Sequence, residues 1–224
     1  MVLEAVIFDL DGTIVNSHEV QWAAFNNFLK QFNIQISWID WTNKYLGEKS
    51  EVIWETVFKE HNISYNIDEA QKERRKNYRR LVREGKLTEI NGFSKFFNWL
   101  KTISIPPIPI VIASNGHPSS IETTLNAIGY LHHIKYYSAE QGSYKASKDR
   151  LLSSVVKDLQ VSPDNCLVFE DSSLGAIAAK KNFMTVVIVN SSHLPENRFK
   201  ADLIVKDYTD LKLFSLIKKL SKVS

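Results

Sequence analysis

The chain has 224 residues, enough for one generous core or for a core plus a smaller accessory domain. Its 44% hydrophobic and 24% charged residues exclude a disordered or fibrous chain, and the mild net charge of +3 comes without a long basic tail for nucleic acid. Cys166 is the single cysteine, so no internal disulfide can form, and no stretch approaches the roughly 20 apolar residues of a membrane span. With Glu4, Asp9 and Asp11 interrupting any N-terminal apolar run, a soluble cytoplasmic protein is expected, with no membrane and no nucleic-acid partner.

The first predicted element is a short buried strand, Ala5–Phe8. From Asn16 to about Asn91 the pattern is helical, over His18–Phe32, Ser50–Glu60 and Asp68–Arg83. The first of these helices puts Trp22, Phe25, Phe28, Leu29 and Phe32 on one face. Buried strands then recur at Ile110–Ala113, at Leu167–Phe169, at Val186–Val189 and at Leu203–Val205, with a weaker one at Ile134–Tyr137. Strands separated by helices predict an α/β fold, a parallel sheet with helices on both faces. The uninterrupted helical interval predicts an inserted helical domain over residues 16–91, leaving 1–15 and 92–224 as the core.

Chemistry-bearing residues gather where strands end. Asp9 and Asp11 follow the first strand and are themselves followed by Gly12 and Thr13. Two carboxylates two residues apart at the end of a buried strand repel each other unless a cation or a proton intervenes. A carboxylate nucleophile with a neighbouring acid/base and a magnesium ion would use that pattern. Ser114, Asn115 and Gly116 follow the second core strand, where a hydroxyl and helix N-terminal N–H groups either hold a phosphate or simply cap the helix. Lys145 lies between the weak strand and the helix predicted at Asp149–Leu159, with Lys148 as its rival. Glu170 and Asp171 close the strand at Leu167–Phe169, as metal ligands or as helix-capping acids. In a parallel sheet such strand ends face one crevice.

In that order, Phe8-Asp9-Leu10-Asp11-Gly12-Thr13, Ala113-Ser114-Asn115-Gly116, Lys145 and Val168-Phe169-Glu170-Asp171-Ser172-Ser173-Leu174-Gly175 resemble the motifs of the haloacid dehalogenase superfamily. The likeness is to its phosphatase and β-phosphoglucomutase-like branch. It implies a Rossmann-like core with an inserted α-helical cap that sets substrate specificity. It also implies a Mg2+-dependent phosphomonoester hydrolase acting on a small phosphorylated metabolite, a sugar phosphate or a nucleotide, as a monomer or weak homodimer. Asp9 would attack phosphorus and form an aspartyl-phosphate, and Asp11 would protonate the leaving oxygen and then activate water. Magnesium would be held by Asp9, the backbone carbonyl of Asp11 and Asp171, with Glu170 helping directly or through water. Ser114 would bind the phosphoryl group and Lys145 would offset the crowded charge. Gly12, Thr13, Asn115 and Gly116 would line the substrate.

In the expected cap, Leu46-Gly47-Glu48-Lys49-Ser50-Glu51 resembles the family's substrate-recognition loop, and Lys49, Arg75 and Lys76 are candidates to reach an anionic group. The chain departs from the family's pattern in three places. Asn16 stands where an acid is common, and Ala146-Ser147 stand where relatives carry a proline-bearing turn. Gln21 stands near the position of the sugar phosphomutases' cap histidine, which favours a phosphatase over the alternative of a sugar phosphomutase. A non-catalytic phospho-ligand binding module is the third reading, disfavoured because all the polar catalytic positions are filled.

Overall fold

The computed structural model describes residues 2–103, 106–141 and 147–221. In chain order it begins with strands β1 (Ala5–Phe8) and β2 (Val15–Asn16), then helices α1 (His18–Leu29), α2 (Trp38–Asp40), α3 (Ser50–Glu60) and α4 (Ile67–Arg83). There follow β3 (Thr88–Glu89), α5 (Phe93–Leu100), β4 (Ile110–Ser114), α6 (Pro118–Ala127), β5 (Lys135–Ser138) and α7 (Lys148–Leu159). The chain finishes with β6 (Cys166–Glu170), α8 (Ser173–Lys181), β7 (Thr185–Val189), β8 (Leu203–Val205) and α9 (Leu211–Leu220). These elements form two compact units, Met1–Asn16 with Thr88–Ser224, and Ser17–Leu87.

In the first unit, six strands among the described residues form a sheet in the order β5-β4-β1-β6-β7-β8, each pair parallel. Central strands of such a sheet are covered on both faces, which is why β1 and β6 are buried at every position and read as apolar runs rather than as alternating ones. The two faces differ in chemistry. Ala5 and Ile7 pack with Val111, Ala113, Val168, Val186 and Ile188 against Leu151, Leu152 and Val155 of α7 and Ala176 and Ala179 of α8. Phe8 lies in an aromatic cluster, stacked 4.6 Å from Phe169 and edge-on to Phe93 at 5.5 Å and Phe96 at 6.5 Å. Truncating so central a ring, as in Phe8→Ala, costs about 3–5 kcal/mol.

The second unit is helical. Val20 and Ala24 of α1 pack with Tyr78 and Val82 of α4. Its main core holds Phe25, Phe28, Trp41, Tyr45, Trp54 and Phe58. The helical stripe predicted from Trp22 to Phe32 supplies part of this core, and the last turn of that stripe is a 3₁₀ helix, Lys30–Phe32, ending at Asn33 with a left-handed φ of 58°. The antiparallel pairing of β2 with β3 was not legible in the sequence, because two-residue strands show no periodicity.

Candidate active site

Asp9 is the first residue beyond β1, and β1 lies between β4 and β6, at the point where strand order reverses. Ligands of open parallel sheets bind beyond the strands' carboxyl ends at that point. The parallel register sets Phe8 opposite Ile112 and Phe169, so Ser114 and Glu170, the last residues of β4 and β6, reach the same end of the sheet as Asp9. All three are buried.

A lysine joins them. The Lys148 Nζ donates to Asp9 Oδ1 at 2.5 Å and to the carbonyl of Ala113 at 2.6 Å, and stands 2.8 Å from Glu170 Oε1. Its three N–H donors thus have three acceptors. Lys145, the residue expected in this role, lies outside the described residues; the lysine at Asp9 is its rival, Lys148. The missed signal was Ser147, whose hydroxyl accepts from the Arg150 N–H and so starts α7 at Lys148 rather than at Asp149. Side chains lean toward their helix's N-terminus, so a first-turn lysine points back to the ends of β1, β4 and β6. A cation there opposes the helix dipole, a cost that the two carboxylates offset.

Burial alone would push the Lys148 ammonium down, but Asp9 and Glu170 more than reverse this and hold it above the ordinary lysine range. Asp9 is shifted well above the ordinary carboxylate range, by burial first, with Lys148 pulling down and Glu170 and Asp171 pushing up. Burial acts first on both groups, and the balance of charge then decides the outcome. One buried ammonium faces two buried carboxylates, and Asp171 adds further negative charge at Asp9, so the ammonium's charge is secure while Asp9 is short of positive charge.

Glu170 is already committed on both oxygens. Oε1 faces Lys148, and Oε2 accepts from the N–H groups of Asp171 and Ser172 at 3.2 Å and from the Ser172 hydroxyl at 2.8 Å. Ser172 also caps α8 by accepting from the Gly175 N–H. A Cβ at Gly175 would stand 2.0 Å from the Glu170 carboxyl carbon, so this glycine exists to admit that carboxylate.

The Ser114 Oγ accepts from the Gly116 N–H at 3.0 Å, and the Gly116 carbonyl accepts from the Ser138 hydroxyl at 2.7 Å. Ser138, opposite Ser114 in the register of β4 and β5, was overlooked because β5 was the weakest predicted strand. A Cβ placed on Gly116 would lie 3.9 Å from Asp11 Oδ2, which sets Asp11 beside the Ser114–Gly116 turn. Gly12 turns the chain after Asp11 with a left-handed φ of 77°. Thr13 is fully buried; its carbonyl accepts from the Tyr208 hydroxyl at 3.0 Å, while its own hydroxyl has no hydrogen-bond partner among the described residues. Asn115 lies between Ser114 and Gly116 in this turn. Lys49, Arg75 and Lys76 belong to the helical unit, where Lys49 precedes α3 and the other two lie on α4.

Among the described residues, no three or more His, Cys, Asp or Glu side chains cluster as a metal site. The set implied by the resemblance needs only two carboxylate side chains and a backbone carbonyl. Hard oxygen donors and the shortage of positive charge at Asp9 fit Mg2+.

The family model for haloacid dehalogenase-like hydrolases matches residues 6–189. The chain belongs to that family. It is 26% identical over 176 residues to the 6-phosphogluconate phosphatase of Escherichia coli, covering 78% of this chain and 76% of that one. To the β-phosphoglucomutase of Bacillus subtilis it is 28% identical over 219 residues, 94% of this chain and 92% of the other. The crystal structure of a hydrolase from Pseudomonas syringae superposes with a TM-score of 0.79 at 20% identity, covering 98% of this chain and all of that one. Among the described residues, no helix is long and apolar enough to cross a membrane.

Proposed function

We propose that this haloacid dehalogenase phosphatase hydrolyses the phosphomonoester of a small metabolite through a phosphorylated Asp9. The observation that carries this reading is the contact of Lys148 with Asp9 at the end of the central strand, flanked by Ser114 and Glu170. An Asp9 oxygen attacks phosphorus, the ester P–O bond breaks, and Asp11 gives its proton to the departing alkoxide. Asp11 then takes a proton from water, whose oxygen attacks phosphorus and frees Asp9 and orthophosphate. Ser114 binds the phosphoryl group, with the Asn115 N–H beside it, while the Gly116 N–H holds the Ser114 hydroxyl in place. Lys148 keeps Asp9 aligned and favours its ionised form, the role first expected of Lys145.

Asp9, Asp171 and the Asp11 carbonyl would hold Mg2+, which when bound neutralises charge on the transferring group. Glu170, with both oxygens engaged, holds Lys148 and the start of α8 instead of ligating directly. The helical unit acts as the cap that chooses the substrate. Gln21 favours hydrolysis over mutase chemistry, since its carboxamide accepts from Arg74 and has no titratable proton to relay.

The test is phosphate release across a panel of sugar phosphates, phosphosugar acids and nucleotides with Mg2+, beside Asp9→Asn. Release abolished in the variant is expected. Undiminished release in Asp9→Asn, or isomer formation without release, would overturn the reading.

A further inference from the structure

The turn that carries Asp11 is held from outside itself. Part of Leu10–Val15 closes internally: the Leu10 carbonyl accepts from the Ile14 N–H at 2.9 Å and the Val15 N–H at 3.2 Å, and the Val15 carbonyl accepts from the Gly12 N–H at 2.8 Å. The two carbonyls next after Asp11 instead take side-chain donors from remote parts of the same unit. The Gly12 carbonyl accepts from the Ser191 hydroxyl at 3.1 Å, and the Thr13 carbonyl from the Tyr208 hydroxyl at 3.0 Å.

Both donors are themselves fixed. Ser191 lies in the loop after β7, where the Asn190 carboxamide bridges the Leu194 backbone, accepting from its N–H at 2.9 Å and donating to its carbonyl at 2.8 Å. Tyr208 is 1% exposed, with its ring centre 5.1 Å from that of Phe96, 5.3 Å from Phe93 and 5.8 Å from Phe169. Its N–H donates to the Asn91 carbonyl at 3.1 Å, and the neighbouring Asp207 carboxylate accepts from Asn91 and Thr209. Burial first, and then the charges of Asp9 and Asp171, raise the Tyr208 pKa, so its hydroxyl stays a donor.

Gly12 is why such tethers matter. With a left-handed φ of 77° and no Cβ, it gives the residue after Asp11 a wide choice of backbone conformations. An acid serves only within hydrogen-bond reach of the departing oxygen, about 2.6–3.2 Å, and a misplacement of about 1 Å costs on the order of 10²-fold in rate.

We infer that Tyr208 and Ser191 are positioning residues for Asp11: their hydroxyls clamp the Gly12–Thr13 turn and so fix where the Asp11 carboxyl stands against the leaving oxygen. This rests on the phosphatase reading above.

The test varies the leaving group. p-Nitrophenolate departs without taking a proton, whereas an alkoxide needs one, so a misplaced acid slows alkyl phosphates selectively. The quantity to compare is kcat/KM, which covers the steps up to phosphorylation of Asp9 and not the later attack of water. In Tyr208→Phe, which removes only the hydroxyl, kcat/KM should fall roughly 10- to 100-fold for the best alkyl phosphate of the panel and less than about threefold for p-nitrophenyl phosphate. Ser191→Ala should show the same signature more weakly, and Ser191→Thr, which restores a hydroxyl, should recover most of the loss. Asp11→Asn should show it most strongly. Hydroxyls that merely satisfied two buried carbonyls would lower both substrates alike on removal, and that result, or no loss for either, overturns the inference. Equal slowing of both substrates by Asp11→Asn would mark a failure of the underlying acid/base reading, and the inference would fall with it.

Hydrogen exchange of the Leu10–Val15 segment reads the clamp without turnover. Exchange there should quicken in Tyr208→Phe and Ser191→Ala while that of β6 stays as in the wild type. That result supports the clamp even if the wild type releases no phosphate, an outcome that would sink the phosphatase reading. Unchanged exchange in the segment, or equal acceleration in β6, contradicts the clamp.

Discussion

The α/β unit buries Asp9, Lys148 and Glu170 as charged groups, whereas the helical unit buries Asn26 and Gln71 as neutral carboxamides. Asn26 pairs with the backbone of Ile36 in both directions, accepting from its N–H at 2.8 Å and donating to its carbonyl at 3.0 Å. Gln71 fixes Trp54, Ser50 and Arg74. Carboxamides satisfy buried backbone and side chains without the desolvation cost of an ion. A buried ion triad is a poor way to gain stability, so its presence at the strand ends marks where charge is needed for chemistry. Position is held by neutral groups in one unit and reactivity by charged groups in the other.

The largest effect should come from breaking the triad. Lys148→Met leaves Asp9 and Glu170 buried without their cation, which should cost about 3–5 kcal/mol of stability and nearly all turnover; urea unfolding and phosphate release read the two. Lys145→Ala should cost far less of both. If Lys145→Ala were the more damaging, Lys148 would lose the role given to it here.

Mg2+ should supply the positive charge the carboxylates lack. At a hundredfold excess over its dissociation constant it should stabilise the wild type by about 2.7 kcal/mol, seen as a higher Tm, and Asp171→Asn should lose most of this. Asp9 binds its proton more tightly in the folded metal-free protein than in the unfolded chain. Stability of the metal-free form therefore falls as pH rises from the ordinary carboxylate range through the raised pKa of Asp9. The metal's contribution runs the other way, shrinking as pH falls and protons compete for Asp9. A Mg2+ effect independent of pH would argue against Asp9 as a ligand.

Gly175→Ala forces a methyl group against the Glu170 carboxyl and should destabilise by about 1–3 kcal/mol. It should also lower activity, since the displaced carboxylate holds Lys148. Asn26→Ala, in the other unit, strands the Ile36 backbone groups and should cost about 1–3 kcal/mol with little effect on the strand ends. Cys166 gives a local readout, because it is buried in β6 and burial raises its thiol to about 12. Native protein should resist thiol labelling. Gly175→Ala should speed labelling more than Asn26→Ala does; equal acceleration would mean that the two units open together.

Much of this was legible in the sequence. Apolar runs ending in Asp9, Ser114 and Glu170 located the strands, since fully covered parallel strands carry no alternation to confuse them. The β2–β3 pairing was not, being too short for any period. The choice between Lys145 and Lys148 was not legible because it depended on where α7 begins, and the Ser147 cap that places Lys148 in its first turn was not weighed. The contact of Arg74 with Gln21, 53 residues away, and with a buried Gln71 was not legible either, because one-dimensional patterns do not reveal tertiary pairs.

The most direct measurement is rapid quench of the wild type mixed with Mg2+ and the best substrate of the panel, followed by mass spectrometry of proteolytic peptides. The account predicts a single added phosphoryl group on Asp9 that forms and decays at rates consistent with turnover. Full turnover with Asp9 never phosphorylated, or with the phosphoryl group on another residue, would contradict it.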